Sequence, residues 1–84
     1  MKYYLYTEVE MKPVGFDTET GETKYEEEEI IYGIYDNIMY AEEHGFYNNN
    51  NCYIYVTKDI DDDPNEIDTD EDWWAIVDKL VETF

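Results

Sequence analysis

Residues 23–35 read Thr-Lys-Tyr-Glu-Glu-Glu-Glu-Ile-Ile-Tyr-Gly-Ile-Tyr, and whether they form strand or helix decides the kind of domain this chain makes. As a strand, the stretch puts Tyr25, Glu27, Glu29, Ile31, Gly33 and Tyr35 on one face, with Glu26, Glu28, Ile30, Tyr32 and Ile34 on the other. As a helix, Ile30, Ile31, Ile34, Ile38 and Ala41 make an apolar stripe behind the four glutamates. Gly33 and the density of Ile and Tyr favour strand up to Tyr35. Glycine weakens a helix interior by about 1 kcal/mol, whereas β-branched and aromatic side chains suit a pleated surface.

Upstream, Lys2 to Met11 alternates with period two. Tyr3, Leu5, Thr7, Val9 and Met11 fall on one side and Lys2, Tyr4, Tyr6, Glu8 and Glu10 on the other, which reads as a half-buried strand. Pro13, Gly15 and Gly21 mark a polar connection with its tip at Asp17 to Gly21. Downstream, Asp36 suits an N-cap for a short helix with Ile38, Met39 and Ala41 facing inward and Gly45 as its C-terminal cap. Asn48 to Asn51 make a turn, and Cys52, Ile54 and Val56 alternate with Tyr53, Tyr55 and Thr57 as a third strand. Residues 59–70 are expected to be an exposed acidic loop interrupted by Pro64. Thr69 or Asp70 then caps a final helix through Phe84, with Trp73, Ile76, Val77, Leu80 and Phe84 on its apolar stripe. The sequence thus predicts a single α+β domain over 1–84: a three-stranded antiparallel sheet, order β-β-α-β-α, with the helices packed on one face.

Charge separates this domain from most of its size. Asp and Glu number 23 against 5 Lys and no Arg, a net of −18 on 84 residues that also include 15 aromatic ones. Disordered acidic tails lack such aromatics, so the chain folds while carrying charge that repels itself. A net magnitude of about 2 to 8 already keeps a small domain soluble. The excess implies a partner of opposite sign.

Three acidic clusters carry it: Glu8 and Glu10 with Asp17, Glu19 and Glu22; Glu26, Glu27, Glu28 and Glu29; and the loop with Asp59, Asp61, Asp62, Asp63, Glu66 and Asp68. Residues two apart on a strand are about 6.6–6.8 Å apart, comparable to the path between successive phosphates, so Glu8 and Glu10, or Glu27 and Glu29, can stand in for neighbouring phosphates. The plainer reading of any one pair is an edge strand protected from aggregation by charge. Tyr32, Tyr53 and Tyr55 fall opposite the better apolar faces, as do Tyr4 and Tyr6, and offer interface anchors.

Other chemistries find less support. Asp59 to Asp70 fails as an EF-hand, since Pro64 stands where the turn glycine belongs and Asp70 where the bidentate Glu belongs. No cofactor is implied. His44 and Cys52 are the only His and Cys and Ser is absent, so a nucleophile and base could come only from that pair. The lone Cys52 makes no internal disulfide, and neither a signal peptide nor a membrane span is legible, so a cytoplasmic protein is expected.

In size, acidity and aromatic content the whole chain resembles the small acidic inhibitors that phages and other mobile elements direct against bacterial defence or repair nucleases. These include anti-restriction proteins, uracil-DNA glycosylase inhibitors and many anti-CRISPR proteins. The resemblance implies a non-enzymatic DNA mimic whose partner is a basic nucleic-acid-binding protein: a CRISPR effector, a restriction enzyme or another nuclease. Direct binding to nucleic acid or membrane is not expected, because both are anionic. An immunity protein against a toxin nuclease and a divalent-cation module centred on the loop are the competing readings, and a homodimer remains open.

Overall fold

A computed structural model describes residues 1–84. In chain order the elements are β1 (Tyr4–Phe16), β2 (Thr23–Tyr35), α1 (Ile38–Asn48), β3 (Cys52–Thr57), a 3-10 turn (Pro64–Glu66), α2 (Asp70–Ala75) and β4 (Val77–Thr83). The strand reading of residues 23–35 holds. All neighbours are antiparallel, in the order β2-β1-β3-β4.

The fourth strand corrects the expectation of three. The final helix ends at Ala75, and the chain continues as β4 along β3. Two register shifts explain why this strand looks helical in sequence: Val77, Leu80 and Thr83 lie opposite Thr57, Tyr55 and Tyr53. Residues three apart therefore meet alternate residues of β3, and bulges produce the spacing of a helical stripe.

The helices do not share a face. Tyr6, Cys52 and Ile54 form one buried cluster with Ala41 of α1, joined by Tyr4, Tyr35, Ile38 and Phe84. On the opposite face Tyr3, Leu5 and Trp73 of α2 form a second, joined by Ile60, Ile67, Ile76 and Tyr55. The central strand is buried on both sides from Tyr3 to Thr7 except for a half-buried Tyr4, so Tyr6 is fully buried where one-sided burial would expose it. Leu5 and Ile54, each fully buried, contribute about 1.5–3 kcal/mol apiece. Buried Thr57 is satisfied: its Oγ1 accepts from the Tyr3 amide and donates to the Lys58 carbonyl, both at 2.9 Å.

The caps of α1 differ by a residue or more from expectation, whereas Thr69 caps α2 as expected. Asn37, not Asp36, caps α1 by accepting from the Met39 amide at 2.9 Å. The helix runs past Gly45 to Asn48 and closes on Asn49 at φ 43°, a left-handed conformation that asparagine tolerates. Gly45 instead lies under the Phe84 ring, where a methyl group would overlap it. Met39 points outward, 69% exposed. Thr69 caps α2, accepting from Asp72 N at 3.2 Å.

The connection around Pro13 and Gly15 is strand, with Val14 accommodated by a register shift beside Pro13. β3 pairs only with Tyr4 to Glu8, so beyond Val9 the β1–β2 hairpin runs on as a two-stranded arm. The molecule is accordingly 52 × 28 × 18 Å with a radius of gyration of 15.5 Å, against about 12 Å for a spherical domain of this length.

Candidate functional site

The arm carries the glutamate run, and its register sorts the acids by face. Glu10 lies opposite Glu28, Lys12 opposite Glu26 and Glu8 opposite Ile30, so one face holds Glu8, Glu10, Glu26 and Glu28. On the other, Glu29 faces Val9 and Glu27 faces Met11. Glu10 opposite Glu28 is a like-charge pair, unfavourable for the hairpin by itself. Lys12 offsets part of it from 3.7 Å to Glu28 Oε2, and the Tyr32 hydroxyl donates to Glu10. Lys12 is the only lysine in an ion pair, so nearly all the negative charge stands uncompensated. Tyr32 reaches Glu10 because the register shift opposite Tyr6 and Thr7 leaves it unpaired on β2. The turn is held by Gly21 at φ 73° and by Asp17, whose carboxylate accepts from the Glu19 amide.

The acidic loop lies at the other end. Asp59 Oδ1 accepts from the Met1 amine at 2.5 Å, and that amine holds the Asp59 carboxyl below the ordinary carboxylate range. The loop is not wholly solvated: Ile60 and Ile67 pack onto the Trp73 cluster, while Asp61, Asp62, Asp63, Glu66 and Asp68 are exposed. Asp63 is used locally, accepting from the Asn65 amide at 3.0 Å. No group of three His, Cys, Asp or Glu side chains converges to hold a metal ion.

Tyr4 and Phe16 end β1 about 40 Å apart. Met1 and the loop lie beyond the first, and the hairpin turn follows the second. The acids expected to act together thus form two regions at opposite ends, not one patch.

The expected aromatic anchors divide as well. Tyr32 is 49% exposed, on the body of the sheet opposite the Tyr6–Thr7 register shift. Tyr53 and Tyr55 are half-buried, and Tyr55 is engaged internally, stacking edge-on against Trp74 at 5.2 Å and donating to Glu29. His44 and Cys52 do not meet: Tyr6 stands between them, its ring 4.8 Å from His44 and its hydroxyl 3.3 Å from Cys52 Sγ. Burial and the Cys52 contact push the Tyr6 hydroxyl pKa well up.

No family model, curated protein or solved structure matches this chain. One feature absent from the sequence reading is an open groove at the loop end, bounded by Tyr3, Tyr35, Tyr40 and Trp73 with Asp36 and Asp68. Its walls come from separate segments, and only the pairing of those segments brings them together.

Proposed function

We propose that the protein is a non-enzymatic inhibitor whose hairpin arm enters the basic groove of a nucleic-acid-processing protein in place of DNA or RNA, most simply in an anti-CRISPR or anti-restriction role. The observation that carries this reading is the arm: a two-stranded projection with Glu10, Glu26 and Glu28 on one face and Glu27 on the other, and with Glu8 and Glu29 at its base. Carboxylates about 6.6–6.8 Å apart along each strand meet a surface built to displace counterions from phosphates. Because the strands fix them, little ordering cost is due on binding, and the net charge of −18 steers the encounter. Exposed Met11 and Tyr25 on the arm add apolar contact that a nucleic acid lacks.

A tagged copy incubated with a bacterial lysate, with retained proteins identified by mass spectrometry, tests the reading. The expected result is one nucleic-acid-binding protein, retained by the native chain and lost with Glu26→Lys and Glu28→Lys. Equal retention by both would count against an arm-centred mechanism.

A further inference from the structure

Where β1 begins and β2 ends, the two layers covering the sheet leave an open groove of ≈ 830 Å³. Two of its lining rings are buried: Tyr3 and Trp73 are 8% and 4% exposed and meet edge to face at 5.8 Å. On the α1 side Tyr35 and Tyr40 stand 6.0 Å apart and tilted by 39°, with Tyr40 56% exposed. Two exposed carboxylates line it from different segments, Asp36 from the β2–α1 connection and Asp68 from the stretch before α2. No lysine or histidine is among the lining residues.

This combination selects a ligand class. Anions are repelled by Asp36 and Asp68, and a neutral apolar group gains nothing from these two exposed carboxylates. A cation is attracted by the face of the exposed Tyr40 ring within about 6 Å and by the carboxylates lining the groove. A planar guanidinium does both at once, stacking on a ring while its fork of N–H groups meets a carboxylate, which a compact ammonium cannot match. We propose that the groove binds an arginine side chain presented by a basic segment of a protein partner. The site lies at the opposite end from the arm and does not depend on the arm's role.

The test is a nuclear magnetic resonance titration of the full, isotopically labelled chain with acetyl-Gly-Arg-Gly-amide, alongside the same peptide carrying Lys or the uncharged isostere citrulline. Saturable shifts are expected at the Trp73 indole and at the amides of Asp36, Tyr40 and Asp68, weaker with Lys and absent with citrulline. Tyr40→Ala with Asp68→Asn should weaken binding at least about fivefold, and Asp36→Asn alone by a smaller factor; both alter exposed side chains, and the same spectra report folding. Glu26→Gln with Glu28→Gln should leave the affinity within about twofold. Shifts confined to the arm, equal binding of citrulline, unchanged affinity in the groove variants, or no saturable shift would each overturn the assignment. A loss caused only by the arm variant would likewise assign the peptide to the arm.

Discussion

The Tyr55 hydroxyl donates to both carboxylate oxygens of Glu29, at 2.9 and 3.0 Å, across the intervening strand β1. Glu29 lies opposite Val9, where the body of the sheet gives way to the arm. A hydrogen bond to a charged group is among the stronger kinds in a folded protein, and this one ties the arm's base to β3.

Burial first, and donation to Glu29 second, push Tyr55 up to about 12. Because the folded state keeps this proton, the stability it carries is present below the ordinary tyrosine value of 10.0 and drains as pH rises towards about 12. Glu29→Gln should bring the titration part of the way back, since burial remains. Tyr55→Phe should cost about 1–2 kcal/mol and speed amide exchange in the arm. Tyrosinate formation at Tyr55 with an ordinary midpoint would contradict the contact.

Alanine is ordinarily a better helix former than glycine by about 1 kcal/mol. At Gly45 the order should invert, because the Phe84 ring occupies the space of a β-carbon. Gly45→Ala should destabilise by about 1–3 kcal/mol, and should become neutral or stabilising in a Phe84→Ala background. Denaturant melts of the four chains in this cycle check it.

Stability should also follow charge. Partial burial and the neighbouring Glu42 raise Glu82 above its ordinary 4.5, so the folded state takes up this proton first as pH falls. Its contribution appears on the acid side and is lost as pH rises through that window. Asp59 is opposite in sign: held below 3.8, it keeps its contribution until pH falls through that lower range. Thermal melts at low salt should therefore give a higher midpoint at mildly acid pH, above 3.8, than at neutrality. The gap should narrow in Glu82→Gln and in about 1 M salt, where screening acts within about 3 Å. A pH- and salt-independent midpoint would contradict dense uncompensated surface charge.

Local pattern carried the first three strands: the alternation in Lys2 to Met11 and in Cys52 to Thr57, and the Ile, Tyr and Gly of residues 30–35, each match the strands formed. What escaped was set by pairing. Val77 and Leu80 repeat at a helical spacing because β4 is bulged, and period alone cannot tell that from a turn of helix. Tyr6 could be assigned to the core only once α1 was known to cover its face of the sheet. The acidic clusters were legible as residues. Their separation was not, since it depends on β3 stopping opposite Glu8 and leaving the hairpin to extend alone. The groove at the loop end had no linear signal, because Tyr3, Asp36, Asp68 and Trp73 meet only through the fold.

The arm's fixed carboxylates are proposed to take the place of nucleic acid in the partner's groove. The most direct measurement is competition: the protein retained from the lysate is loaded with its labelled DNA or RNA and titrated with the native chain, with Glu26→Lys and Glu28→Lys, and with Asp61→Lys and Asp63→Lys. Stoichiometric, salt-sensitive displacement by the native chain is expected, with a loss of at least about tenfold for the arm substitutions through slower association and a smaller loss for the loop substitutions. Nucleic acid that stays loaded while the native chain is bound, or displacement unchanged by the arm substitutions, would contradict it.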